Sequence, residues 1–199
     1  MTADTAPPAP ARALPRWAVR TLASDEVLLP SLARFTFAAV LLVYFWHAAA
    51  TKLGPGLFGL FQPAMGAYAQ IFPRAMEAAG YDPGQLGLWH RAVVVAGTAA
   101  EFVLPLLIVL GLVTRLAALG MIGFVVIQSL TDLYGHGGIA HVETLGAWFD
   151  RLPDGAILDQ RLLWVFVLVT LVAKGAGPLS LDRVLAVRLG RRDPPGNAP

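Results

Sequence analysis

The chain has 199 residues, 56% of them hydrophobic and only 14% charged, and its mean hydropathy is +0.62. A soluble domain carries about a quarter charged residues, so the composition argues against a water-soluble globule and for an all-α integral membrane protein. A net charge of +2 is too small to argue for a nucleic-acid partner. The lack of cysteine excludes disulfides, thiol catalysis and thiolate metal ligands within the chain.

Residues 1–31 are Pro/Ala-rich and basic, without the apolar core of a cleaved signal peptide. They read as a flexible tail leading into a short interfacial segment, with Trp17 and Leu22 on one side and Arg12, Arg16 and Arg20 near lipid head groups; simple disorder is the alternative. A membrane span needs about 20 mostly apolar residues, and four stretches qualify: 32–53, 89–112, 115–134 and 158–174, the last being the shortest. The predicted fold is a four-helix membrane bundle over residues 32–178.

Between the first two spans, residues 57–80 are apolar but interrupted by Pro63 and Pro73. Proline removes a helical hydrogen bond and costs about 3 kcal/mol in a helix interior, which predicts short interfacial helices, with a fifth span as the alternative. The 135–157 loop opens on glycines, and its 142–152 portion has a helical pattern with Leu145, Trp148 and Phe149 on one side. After the fourth span, Gly175, Gly177 and Pro178 stop the helix and Ser180 is a candidate N-cap. Residues 179–199 then form an amphipathic helix and tail, with Leu181, Val184, Leu185 and Leu189 opposite Arg183, Arg188 and Arg192, a pattern suited to anionic head groups.

Basic residues set the orientation. Four spans place both termini on one side with Arg34, Arg115, Lys174 and the terminal arginines, ten basic residues in all against five (Lys52, Arg74, Arg91, Arg151, Arg161) on the other. The excess predicts cytoplasmic termini. All four histidines then lie towards the outside. Their spacings match no compact metal motif, which leaves His47, His90 and His136, with Asp132, as weak metal candidates and no assigned metal site.

The polar residue that stands out is Glu101, close to the middle of the second span. A rise of 1.5 Å per residue puts His47 about 6 Å and Gln128 about 5 Å outward of the midplane, so that Glu101, His47 and Gln128, with Tyr44 and Thr98, are expected to share one polar layer. An acid at that depth persists when neutral, paired or hydrated; Glu101 is expected to be either neutral at rest or ion-paired with protonated His47, and either state suits a proton relay. Pro105, four residues after Glu101, has no N–H for the Glu101 carbonyl, which predicts a kink and a freed acceptor. Lys52 reads as a residue snorkelling at the end of span one, or as a lure for an anion.

An ordered set of residues also resembles the DoxX family of small bacterial membrane proteins. Arg34 opens span one and Lys52 closes it in HAAATKL; Glu101 follows in AAEFVLPLLIVLGL; the LGLVTRLAAL turn carries Gly111 and Arg115; GAGPLSLD brings Gly175, Gly177 and Asp182. The likeness covers about 34–185, and its last two motifs are specific only together. It implies a four-helix bundle of the bacterial inner membrane, acting as an accessory or anchor subunit with a partner protein of a redox or stress-response system. Some relatives are subunits of a thiosulfate:quinone oxidoreductase, which implies a quinone as the cofactor to look for and a quinone-linked oxidoreductase subunit as the alternative function. Metal handling or transport is the third reading, weakened by an inner half whose only lining polar residues are Thr36, Thr114 and Thr170. No catalytic residue is carried over by the likeness, and the basic N-terminal tail and long 135–157 loop depart from the family pattern.

Overall fold

A computed structural model describes residues 26–190 of the chain. The expectations for Trp17, Leu22, the N-terminal arginines, Arg191 and Arg192 fall outside the described residues. Within them every regular element is helical. Three helices are long and apolar enough to cross a membrane: α1 (Leu28–Ala50), α4 (Leu88–Leu110) and α5 (Thr114–Gly135). These features are compatible with an integral membrane protein. The connection between α1 and α4 holds two short helices, α2 (Met65–Ile71) and α3 (Pro73–Ala78). Pro73 opens α3 at the one helical position where a missing N–H costs nothing. The fourth apolar stretch forms α7 (Asp159–Lys174), only 16 residues long.

The long helices alternate in direction. Arg34 near the start of α1 bonds the carbonyls at the end of α4, and Arg161 in the first turn of α7 bonds Ser129 near the end of α5. The main core forms where α1, α4, α5 and α7 meet, around Phe37, Leu41, Phe45, Ile108, Met121 and Leu168. Phe45 is its aromatic hub, edge-on to Phe124 and Trp164, each at 6.0 Å between ring centroids. A second, smaller core holds the α2–α3 pair against the first half of α4 through Ala67, Tyr68, Met76 and Val94. The outward faces are apolar: Phe35, Val43, Leu116, Ile127 and Phe166 are each about two-thirds exposed.

α4 runs as one helix with Pro105 inside it, as the single span read at 89–112 expects. In the same stretch the Phe102 carbonyl accepts a 3.1 Å hydrogen bond from the Trp46 indole. One departure from the sequence reading concerns local order. The helix expected over 142–152 is a single turn, α6 (Val142–Leu145). Gly146 ends it at positive φ and abuts Gly155 so closely that a Cβ on Gly155 would lie 2.3 Å from the Gly146 Cα. Close backbone approach of two glycines overrides the helical pattern beyond them.

After α7, the final helix α8 (Leu181–Gly190) is capped by Ser180, whose hydroxyl accepts from the Arg183 N–H at 3.3 Å. Its apolar residues Leu181, Val184, Leu185 and Leu189 are exposed.

Candidate functional site

The buried faces of two helices converge on an ion pair. In α1 the core stripe runs Phe37, Leu41, Phe45, Ala49, and its continuation in the turn beyond the helix is Lys52. In α4 the buried stripe is Val94, Thr98, Glu101, Pro105, Ile108. Lys52 Nζ donates to both Glu101 carboxylate oxygens, at 2.9 and 2.8 Å, and to the Ala48 carbonyl at 3.1 Å. Each residue is only 5% exposed. An ammonium has three donors, and all three are used, which locks the end of α1 to the middle of α4. The Lys52 backbone carbonyl accepts from Ala64 N–H at 3.0 Å, holding the connection to α2 against the same point.

This arrangement corrects the expected pairing of Glu101 with His47. His47 is exposed, and the carboxylate is bonded to Lys52 instead. It comes two residues after the buried Phe45, and two helical residues turn the side chain by about 200°. Equal depth therefore did not mean a shared face. The other expected members divide. Gln128 and Tyr44 do meet, the amide Nε2 donating to the phenol oxygen at 3.2 Å. Thr98 is buried, but its hydroxyl donates to Val94 O at 2.8 Å within its own helix.

A second ion pair lies nearer the His136 end of the molecule. Arg161, also buried, binds Asp132 through Nη2 and Ser129 Oγ through Nη1 at 3.0 Å. Asp132 sits in a π-helical turn, Thr131–Gly135, that closes α5. Such turns rotate side chains off the regular helical register and are frequent at functional sites. Beyond it His136 Nε2 lies 2.9 Å from the Gln70 carbonyl. A carbonyl only accepts, so that nitrogen carries the proton, and the bond ties α2 to the end of α5.

Between these groups is a cavity of about 340 Å³. Its walls are apolar, with Ile71 and Val93 on one side and Phe124 and Ile127 on the other. Ile71 packs on the smaller core and Phe124 on the larger, so the cavity occupies the seam between them. Its polar lining comes from Lys52, Glu101 and Gln128 and from Gln70, Asp132 and His136. Ala96, Gly97 and the outward-facing Ile127 form a small-residue, apolar margin. A wider surface depression of about 490 Å³ beside Arg91 contains no buried charge.

The weak metal candidates do not converge. His90 packs edge-on against Phe72 at 4.8 Å, His136 bonds Gln70, and His47 faces outward. No group of three or more His, Asp or Glu side chains is placed to hold a metal among the described residues.

The remaining motif residues build a clasp at the opposite end of the molecule. Arg34 reaches the carbonyls of Ile108 (3.2 Å) and Val109 (2.6 Å) at the end of α4, and those of Ala176 (2.8 Å) and Leu179 (2.5 Å) in the turn after α7. The carbonyls that end a helix lack intrahelical partners and carry partial negative charge, which a guanidinium satisfies. Asp182 performs the converse role, accepting from the N–H groups of Val113 at 2.6 Å and Thr114 at 3.0 Å where α5 begins. The Asp182 N–H in turn donates to Gly111 O at 2.8 Å. Gly111 has φ +68°, and a Cβ there would lie 2.6 Å from the Ser180 Cβ and 3.1 Å from the Arg34 guanidinium carbon. Gly175 and Gly177 also have positive φ, the first beside the Arg115 side chain. These residues set the ends of four helices against one another and touch no cavity of the ion-pair site.

Lys52 as the partner of Glu101, and the Arg161–Asp132 pair, escaped sequence reasoning. The first was detectable as the continuation of the Phe37–Leu41–Phe45–Ala49 stripe. The second had no local signal, because its members lie 29 positions apart. No family model, curated protein or solved structure matches the chain.

Proposed function

We propose that the chain is a multi-pass, DoxX-type protein of the bacterial inner membrane, a four-helix bundle with both termini cytoplasmic, serving as an accessory or anchor subunit of a redox or stress-response system. In this reading its working part is the cavity beside Glu101, which takes a small membrane-soluble molecule. One observation carries the reading: a 340 Å³ apolar-walled space ends on a buried Lys52–Glu101 pair. Structural glue needs the pair but not the space. Apolar walls with a few convergent polar groups are the general form of a small-molecule site, and intramembrane ionisable residues are functional by default.

The test is occupancy. The wild-type protein, purified in mild detergent, and a Gly97→Trp variant that fills the margin of the cavity are extracted with organic solvent and analysed for bound lipophiles. A stoichiometric lipophile in the wild type, absent from a folded Gly97→Trp, is the expected result. An empty wild type, or equal retention by both, overturns the reading.

Several hydrogen-bonding groups in an apolar-walled space also favour a second reading, a quinone-linked oxidoreductase subunit, since a quinone is a flat apolar ring with two carbonyl acceptors. Recovery of quinone in the same extract, with reduction by a sulfur donor, distinguishes it from the first.

A further inference from the structure

We infer that the Lys52–Glu101 pair is a charge filter that makes the cavity selective for uncharged amphiphiles. The inference rests on the cavity being a ligand site, as proposed above, and concerns which chemical class it admits.

The argument begins with the charges that face the space. Four ionisable side chains line it: Lys52, Glu101, Asp132 and His136. Asp132 is neutralised by Arg161 behind it. His136 has its Nε2–H turned to the Gln70 carbonyl. Lys52 and Glu101 sum to zero wherever the proton between them resides, as ammonium with carboxylate or as amine with acid. Lys52, Glu101 and Asp132 therefore each have their complement in the wall, and a charged ligand brings a charge that has none.

Hydrogen-bond capacity leads to the same class. Every Lys52 donor is already taken, two by the acid and one by Ala48 O. An incoming anion finds no free ammonium hydrogen and must displace either a Glu101 oxygen or the Ala48 carbonyl. An incoming cation must compete with Lys52 for the carboxylate at 2.8 Å. Displacing a member of the pair leaves the other uncompensated, and displacing only Ala48 leaves the ligand's own charge uncompensated; a buried charge without its complement is the costly outcome. An uncharged head group meets neither penalty, and the unused lone pairs of Glu101 can still accept from a hydroxyl. Discrimination of this kind works by repelling the wrong ligand rather than by gripping the right one.

The absence of cysteine makes the test direct. A Gly97→Cys substitution puts one thiol on the cavity margin, where the added Cβ meets only Ile71 Cδ1, at an ordinary 3.7 Å. In nanodiscs, decanol, decanoate and decyltrimethylammonium are compared, at equal membrane concentration, for protection of that thiol from a neutral methanethiosulfonate. Decanol is expected to protect at concentrations lower by about tenfold or more, a difference of about 1.4 kcal/mol, than either charged probe. Glu101→Gln, which leaves Lys52 unmatched, shifts the preference towards decanoate. Lys52→Met, which leaves Glu101 unmatched, shifts it towards decyltrimethylammonium. Removing both restores the preference for decanol.

Equal protection by all three probes in the intact pair overturns the filter without any change to the pair, so the test survives if the single variants fail to fold. Folded single variants with an unchanged order of preference overturn it as well. A thiol that no probe protects removes the ligand site itself, and with it the reading on which the filter rests.

Discussion

Lys52 has no ammonium hydrogen to spare, and Glu101 has no other hydrogen-bond donor among the described residues. Removing one partner of such a buried pair costs about 3–5 kcal/mol, whereas replacing both with apolar groups is often neutral. Lys52→Met is therefore expected to lower unfolding free energy in detergent by about that amount, and Lys52→Met with Glu101→Leu to recover most of it. A single variant as stable as the wild type would mean that the pair does not hold α1 to α4. Gly111 gives a second expectation at this scale. Its left-handed backbone alone costs an alanine about 1–2 kcal/mol, and the Ser180 Cβ at 2.6 Å adds a clash. Gly111→Ala should lower the unfolding midpoint clearly, while Gly66→Ala, in α2 with nothing within 4 Å of the added carbon, should not. The sequence made Glu101 conspicuous because an acid in an apolar run is a local anomaly. Its partner was obscured because depth along a helix is simple arithmetic, whereas the face a residue takes depends on the whole buried stripe. His47 has the right height and the wrong face; Lys52 lies beyond the helix end and reaches back.

At the scale of elements, the clasp joins two turn motifs that lie far apart in the chain. Asp182 caps the first N–H groups of α5 from 68 and 69 positions away, and Arg34 closes the end of α4 from 74 and 75 away. Loss of an N-cap side chain costs about 0.5–2 kcal/mol. Asp182→Ala is expected to destabilise by that order and to speed hydrogen exchange at Val113 and Thr114 selectively. Exchange rates that rise everywhere, or nowhere, would separate Asp182 from capping. The helices themselves were legible because apolar runs and proline punctuation act locally: spans read at 89–112 and 115–134 are the helices Leu88–Leu110 and Thr114–Gly135. The single turn at Val142–Leu145 was not, since the contact that ends it joins Gly146 to a glycine nine residues later.

At the scale of the whole molecule, the number of crossings turns on α7. Its 16 residues rise about 24 Å, less than the ~30 Å hydrocarbon core. The helix nevertheless packs antiparallel to α5, with Arg161 joined to the far end of α5 and the turn after Lys174 joined through Arg34 to the start of α1. Local thinning of the bilayer or snorkelling of flanking residues accommodates a short span at modest cost, and Lys174 and Asp159 stand at the two ends to do so. Four crossings put Ala140 and Gly190 on opposite faces of the membrane; three put them on the same face. Both residues are exposed, and with no native cysteine a single Ala140→Cys or Gly190→Cys reports without background. With an impermeant maleimide, the thiol at position 140 is expected to label in intact cells and the thiol at position 190 only after permeabilisation. Labelling of both before permeabilisation would remove α7 from the membrane. It would also take Arg161 away from Asp132 and leave that cavity-lining carboxylate without its partner.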